Sequence, residues 1–358
     1  MPTMAVLSAG LASVEKRFGK GNSSRDKEYT VFRLYDAEDS RPWGRGLLTR
    51  MAACPRSDTF LGRALGIQRA LMVRPGPRAT EGICDSIPNA KIYPELLEWQ
   101  WENLYNTLRQ CGVWVKVISD GRLLSFADSL FIQDRIAVRN CRLCPVILYA
   151  YPRPSSRKPE VYPVMKTARE ILRSCSDFVH AQEFIIDGDG TGYHDFGDQI
   201  PVVTRDSRKL LFVGQSRRTS PCATVQLREI LEPDWRVIPV AVRDVPPEQF
   251  AALHLDSAAT YLGNDVVILR PGRVDPQPFL DAGLRVKTVC DMELSGAAVI
   301  VIPNFHGVYV IIPEECPDTV RAVKEVSWNY PGTIIMKIIP LSEMLKLQAG
   351  PGCLLAEY

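Results

Sequence analysis

The chain has 358 residues, 46% of them hydrophobic and 23% charged, the balance of a globular protein long enough to bury a large core without disulfides or metals. Its formal net charge of +2 sets up no field that would gather nucleic acid or anionic lipid, and no apolar run approaches the roughly 20 residues that span a bilayer. Ten cysteines at irregular spacing read as free thiols in a reducing compartment. A cytoplasmic location is therefore expected, with an organellar presequence as the alternative reading of the acid-poor stretch from Met1 to Phe18.

Residues 1–65 differ in character from the rest of the chain. Ser8 to Lys27 is polar and rich in small residues, Tyr29–Tyr35 has strand character, and Asp36–Arg45 reads as loop. We expect an extension, partly disordered, ahead of a catalytic unit over 66–358. Arg69–Arg74 then reads as a strand stopped by Pro75-Gly76-Pro77. Tyr93–Gln110 predicts a helix with Leu97, Trp101, Leu104 and Leu108 on one face. Val113–Ile118, Leu130–Val138 and Val146–Tyr151 read as strands. Val164, Ala168, Leu172 and Cys175 form a second helical stripe, followed by strands at Phe184–Ile186 and Leu210–Val213. Thr219–Leu231 is a third helix, with strands at Arg236–Val242 and Val266–Leu269. Ala298–Ile302 and Val308–Ile312 suggest a hairpin around Phe305-His306-Gly307, before a helix at Pro317–Val326 and a strand at Thr333–Ile339. Strands paired between helices fit neither a doubly wound sheet nor a β-sandwich, and suggest a repeated ββα module that buries its faces by stacking on its neighbours.

Among four histidines, His254 stands two positions before Asp256. In extended structure the two side chains would share a face, pairing a proton-transfer group with a carboxylate; the bland alternative is an exposed turn. Cys353 follows Gly350-Pro351-Gly352 near the C-terminus, where small residues leave room for a ligand; the alternative is an idle thiol on a frayed tail. Cys141 and Cys144 have the spacing of half a zinc site, but nothing completes it, and a turn between strands is expected. Asp187-Gly188-Asp189-Gly190 lacks the later Glu of a calcium loop and reads as a hairpin turn. Asp128 to Asp134 reads as a strand with acids at both ends, able to hold a cation or simply flanking the core.

In this order the blocks resemble those of the dimethylarginine dimethylaminohydrolases and, more distantly, the arginine deiminases and amidinotransferases, over roughly Arg69 to the C-terminus. The blocks are Asp128–Asp134, the basic loop Tyr151–Lys158, His194-Asp195-Phe196-Gly197-Asp198, Leu211–Thr219, His254–Ser257, and Ser342-Glu343-Met344 running on to Cys353. The Leu211–Thr219 block is the most specific. The resemblance implies a five-bladed α/β-propeller of ββαβ-type modules, the pentein fold. It implies Cys353 as nucleophile, His254 as general acid and base, and Asp195 orienting His254. Asp134 would hold the guanidinium nitrogens, Arg157 and Arg218 would grip an α-carboxylate, and Asp128, Phe131 and Gln133 would complete the substrate pocket. The loop from Pro75 to Pro88 occupies a position that acts as a lid in the family. Four positions depart from the pattern. Gln133 stands where Glu is usual in dimethylarginine hydrolases, Asp256 matches the deiminases and amidinotransferases instead, Phe196 replaces a small residue, and Val299 replaces an Asn.

The chemistry needs these residue types. A thiolate must attack the guanidinium carbon, and a bound cation lowers the pKa of that thiol. An acid must protonate the departing amine, leaving a thiouronium that water hydrolyses to citrulline. Two carboxylates, Asp134 and Asp256, can each accept from two N–H groups, which suits unmethylated arginine better than a methylated nitrogen with fewer donors. No metal or organic cofactor is implied. The expected partner is a small-molecule substrate, arginine or a methylarginine, with neither nucleic acid nor membrane and with a homodimer left open. An amidinotransferase with the same site and a non-catalytic binding protein on the same fold are the alternatives.

Overall fold

The computed structural model describes residues 68–82, 91–187, 190–243, 254–293, 296–304 and 307–358. The 1–65 extension, the second half of the Pro75–Pro88 loop, Gly188-Asp189 and the hairpin residues Phe305 and His306 lie outside the described residues.

Five copies of one module make up the fold. The second comprises β3 (Ile136–Asn140), β4 (Pro145–Ala150), helix α2 (Val161–Arg173) and β5 (Gln182–Ile186). β3 runs antiparallel to β4, and β4 runs parallel to β5 across the helix that the parallel crossover requires. The same order recurs in β6 (Gln199–Val203), β7 (Lys209–Gln215), α3 (Pro221–Leu231) and β8 (Arg236–Ala241). It recurs again in β9 (Ala259–Gly263), β10 (Val266–Leu269), α4 (Gln277–Asp281) and β11 (Arg285–Thr288). The fifth copy is β12 (Ile300–Asn304), β13 (Gly307–Pro313), α5 (Pro317–Ser327) and β14 (Thr333–Ile339).

The first module is completed by the other end of the chain. β1 (Arg69–Val73) pairs in parallel with β2 (Trp114–Ile118) across helix α1 (Pro94–Gln110). Its antiparallel partner is β15 (Leu355–Glu357), which follows the short helix α6 (Ser342–Lys346) and pairs Ala70 with Glu357 and Met72 with Leu355. The C-terminal tail is therefore a strand of the first sheet rather than a frayed end.

Five hydrophobic clusters join the modules in a closed ring. Leu71, Ile136 and Val164 share one between the first and second sheets, and Leu148, Leu211 and Trp235 one between the second and third. Phe212 and Val267 belong to the third–fourth contact, Ile268 and Val310 to the fourth–fifth, and Ile311 and Met72 close the circle from fifth to first. Phe212 stacks on Phe279 with centroids 4.4 Å apart. Within α1 the stripe of Leu97, Trp101, Leu104 and Leu108 is buried, as its spacing predicts. β3, β6, β9, β12 and β15 contribute residues to the wall of a central cavity of about 480 Å³.

Three sequence expectations are corrected. The run from Leu130 to Val138 is not one strand: Ile132–Asp134 is a 3₁₀ turn, closed by Asp134 N–H donating to the Phe131 carbonyl, and the strand starts only at Ile136. A short apolar run does not distinguish these two outcomes. Leu255–Ser257, which holds Asp256, is likewise a 3₁₀ turn rather than extended chain, with His254 as its extended cap. The third helix begins at Pro221, because Ser220 caps it by accepting from Ala223 N–H. Cys141 and Cys144 lie in the turn between β3 and β4, as expected.

Candidate active site

The chemical residues sit ahead of the innermost strands. Asp134 precedes β3, Asp195 and Asp198 precede β6, His254 and Asp256 precede β9, and Cys353 precedes β15. Asp128, Phe131, Asp134, Arg157, Arg218, His254 and Cys353 line one small pocket. The first three are spaced by three residues, which the tight turn at Ile132–Asp134 helps to bring to a common side. Gly197 is needed here: a Cβ on it would come within 2.7 Å of His254 Nδ1 and 3.1 Å of Asp134 Oδ1.

His254 is buried between two carboxylates, with Nε2 3.3 Å from Asp195 Oδ2 and Nδ1 3.8 Å from Asp134 Oδ1. Burial alone would lower its pKa, but Asp134, Asp195 and Asp198 outweigh it and raise the value to about 9, so the imidazole is cationic at neutral pH. Asp195 is inaccessible to solvent; burial opposes its ionisation, but Arg135, whose Nη1 donates at 2.7 Å, and the His254 ring hold it well below the usual carboxylate range.

Cys353 is buried, with its Sγ 4.0 Å from Asp256 Oδ2. Burial first, then the charges of Asp256 and Asp134, push the thiol well above its ordinary range. Asp256 is itself raised to about 7 by desolvation, with Asp134 and Asp198 adding to the effect and His254 offsetting it. The 3₁₀ turn sends His254 and Asp256 to different places: His254 lines the small pocket, whereas Asp256 and Gln133 line the central cavity, and Cys353 borders both. The shared face expected for His254 and Asp256 is thus replaced by two faces meeting at the sulfur. Three buried acceptors, Asp134 Oδ1, Asp256 Oδ1 and Gln133 Oε1, accept no hydrogen bond from the described residues.

The two arginines differ from each other. Arg157 is buried and committed: Nη1 donates to Asp134 Oδ2 at 2.8 Å, Nη2 to the Asp128 carbonyl at 3.1 Å and Nε to Glu160 at 3.3 Å. With three of its five N–H donors so engaged, it braces Asp134 while still lining the pocket. Arg218 stands 3.9 Å from Asp195 and keeps a buried Nη1 without a hydrogen-bond acceptor. Sequence reasoning missed Arg135 and Glu160, which link Asp195 and Arg157 through buried ion pairs. The one signal for Arg135 was a charge set between an acid and an apolar strand.

No protein-family model matches the sequence. A dimethylarginine dimethylaminohydrolase of Streptomyces coelicolor is 26% identical over 289 residues, covering 80% of this chain and 95% of the relative. A mutant of the Pseudomonas aeruginosa dimethylarginine dimethylaminohydrolase, solved with citrulline, superposes with a TM-score of 0.62 at 19% identity, over 82% of this chain and 99% of that one. The chain is thus similar to the dimethylarginine dimethylaminohydrolases in sequence and shares the fold of that solved structure. The N-terminal domain of cyanobacterial ArgZ, an arginine dihydrolase solved with substrate, shares this pentein fold with a TM-score of 0.63 at 18% identity, over 81% of this chain and 97% of that one. Within this pentein, Val299, the position where the resemblance led us to expect Asn, is buried on the wall of the central cavity. Among the described residues, no helix is long and apolar enough to cross a membrane.

Proposed function

We propose that this chain is a cysteine hydrolase acting on the guanidinium carbon of arginine or an N-methylated arginine, releasing citrulline together with ammonia or an amine. The carrying observation is the set of unsatisfied buried acceptors, Asp134 Oδ1, Asp256 Oδ1 and Gln133 Oε1, around a thiol that borders the pocket of a cationic imidazole. A guanidinium is a planar fork of N–H donors, and such a set satisfies it. The pairing of citrulline and arginine with relatives of this fold is consistent with that reading.

In this mechanism the seated guanidinium replaces the repulsion that holds Cys353 protonated, and the thiol gives its proton to solvent as the substrate enters. The thiolate attacks the guanidinium carbon, and the protonated His254 gives its proton to the departing nitrogen, which leaves as a neutral amine. A thiouronium remains on Cys353. The neutral His254 then takes a proton from water as that water attacks. Collapse of the adduct breaks the C–S bond, frees citrulline and restores the thiolate. Asp195 keeps the imidazole oriented and cationic, Arg157 fixes Asp134, and Arg218 meets the substrate carboxylate. Two carboxylates and an amide around the guanidinium favour a substrate with all its N–H donors, so unmethylated arginine is the preferred substrate of the series.

The test is a panel of arginine, monomethylarginine, asymmetric dimethylarginine and agmatine with product detection, run on wild type and Cys353→Ser. Citrulline from wild type and none from the variant is the expected result. Ornithine without citrulline, released only when an amine acceptor is added, would replace the hydrolase with an amidinotransferase. No turnover of any member would remove the reading.

A further inference from the structure

Behind His254 lies a second buried polar system that the proposed mechanism does not use. Asp198 is fully buried and accepts from three donors. Leu255 N–H reaches its Oδ1 at 2.9 Å, and the hydroxyls of Ser216 and Thr219 reach its Oδ2 at 2.5 and 2.7 Å. Leu255 is the first residue of the 3₁₀ turn whose preceding residue is His254. The carboxylate therefore grips the backbone of the turn that aims the imidazole. The approach is tight, since a Cβ on Gly214 would lie 2.6 Å from Asp198 Oδ1.

The chain of bonds leading to Asp198 has one allowed direction. Arg139 can only donate, and its Nη2 meets Gln199 Oε1 at 2.5 Å. The other end of that amide, Nε2, is then a donor, and it lies 3.0 Å from His194 Nε2. His194 must accept there, so its single proton sits on Nδ1, 3.0 Å from Thr219 Oγ1. Burial lowers the His194 pKa to about 3, which keeps the ring neutral as this arrangement needs. With Thr219 accepting from His194, its own hydroxyl proton is left for Asp198. Four groups, Arg139, Gln199, His194 and Thr219, are thus polarised from the wall of the central cavity towards one carboxylate. Such directional networks hold a unique geometry when every member is satisfied.

We infer that Asp198 is a positioning residue for His254: it anchors the Leu255–Ser257 turn that His254 caps, through Leu255 N–H, and the Arg139–Gln199–His194–Thr219 chain keeps its oxygens aligned as acceptors. This rests on the proposed role of His254 as the acid and base. Two consequences separate it from a merely structural acid. The anion adds to the field that keeps His254 protonated. Losing the anchor misdirects proton transfer while leaving the guanidinium acceptors in place.

The experiment compares wild type, Asp198→Asn and Thr219→Val for citrulline production from arginine across pH 5.5 to 10, with thermal melts as a check on folding. The expected result is a kcat roughly 10- to 100-fold lower in both variants with KM for arginine changed less than about threefold, in line with loss of positioned acid–base catalysis. In Asp198→Asn the alkaline limb of kcat/KM, where His254 gives up its proton, should also move to lower pH. If Asp198→Asn cannot be obtained folded, Thr219→Val decides by the same kcat criterion. A folded variant with wild-type kcat, or a loss that appears wholly in KM, overturns the inference. A wild-type protein that turns over no guanidine compound instead overturns the functional reading on which the inference rests.

Discussion

Replacing Asp256 with Asn should make Cys353 more reactive towards a simple alkylating agent while making the enzyme worse with arginine. The carboxylate lies 4.0 Å from Sγ, and its pKa of about 7 leaves it mostly ionised at pH 8.5. With an effective dielectric of about 20, a unit charge at that distance opposes thiolate formation by about 4 kcal/mol, or about 3 units of thiol pKa. Below the thiol pKa, removing the charge raises the thiolate fraction by up to about 1,000-fold. The less basic thiolate is also a weaker nucleophile, by about 30-fold for a Brønsted slope near 0.5, so alkylation should gain about 30-fold net. The assay is iodoacetamide labelling at pH 8.5 followed by intact mass, with Cys353→Ser as the background for the other thiols. Arginine turnover in the same variant should fall, because the guanidinium loses an anionic acceptor. A labelling rate equal to or below wild type would show that the neighbouring anion is not what suppresses the thiol.

Asp195→Asn removes the carboxylate closest to His254 Nε2 and should shift the alkaline limb of activity to lower pH, read from a kcat/KM profile. His254 is raised in the folded state, so its contribution to stability is full below about pH 6.5 and fades as pH climbs through about 9; melting temperature should decline across that window in wild type and less so in Asp195→Asn. Leu355→Ala, in the closing strand just beyond Cys353, should cost about 2–5 kcal/mol in urea unfolding and lower kcat more than KM, since that strand seals the first sheet and anchors the turn that carries the nucleophile.

Helices and central strands were legible in the sequence because their side chains repeat with one period. The α1 stripe and the apolar runs in β4, β7 and β10 are buried as their patterns require. The innermost strands were mostly missed. β15 has three residues, β6 contains Pro201, and β9 mixes Thr and Tyr among apolar neighbours, so none presents a long enough pattern. Their pairing is also decided at long range: β15 meets β1 from the far end of the chain. In the site, the residue types were legible and the conformations were not. Two 3₁₀ turns were read as extended chain, and the error mattered, since it placed Asp256 beside His254 rather than beside the sulfur. Arg157 illustrates a different limit. Nothing in a basic loop tells which acids will pair with the guanidinium, and here they are Asp134 and Glu160.

The position of the chemistry lets the fold, shared with structural neighbours at 17–19% identity, vary in its strands without moving the candidate site. Each innermost strand is held by packing and by its ladder to the middle strand, and those constraints accept any apolar residue of suitable volume. The residue just ahead of the strand is held by neither, yet its direction is fixed by where the strand begins. Asp134, Asp198, Asp256 and Cys353 all occupy such places, and the fifth module offers Ala298 and Val299 at its equivalent. Gly350 packs so closely on Ala298 that an added Cβ would lie 2.5 Å from the Ala298 Cβ, which ties this apolar corner to the loop carrying the nucleophile. Four modules therefore supply polar groups and one supplies an apolar wall. A polar residue at Val299 would change the character of the cavity behind Cys353 without removing a ladder hydrogen bond, its cost being the desolvation of a polar group in the cluster shared with Ile268 and Val310.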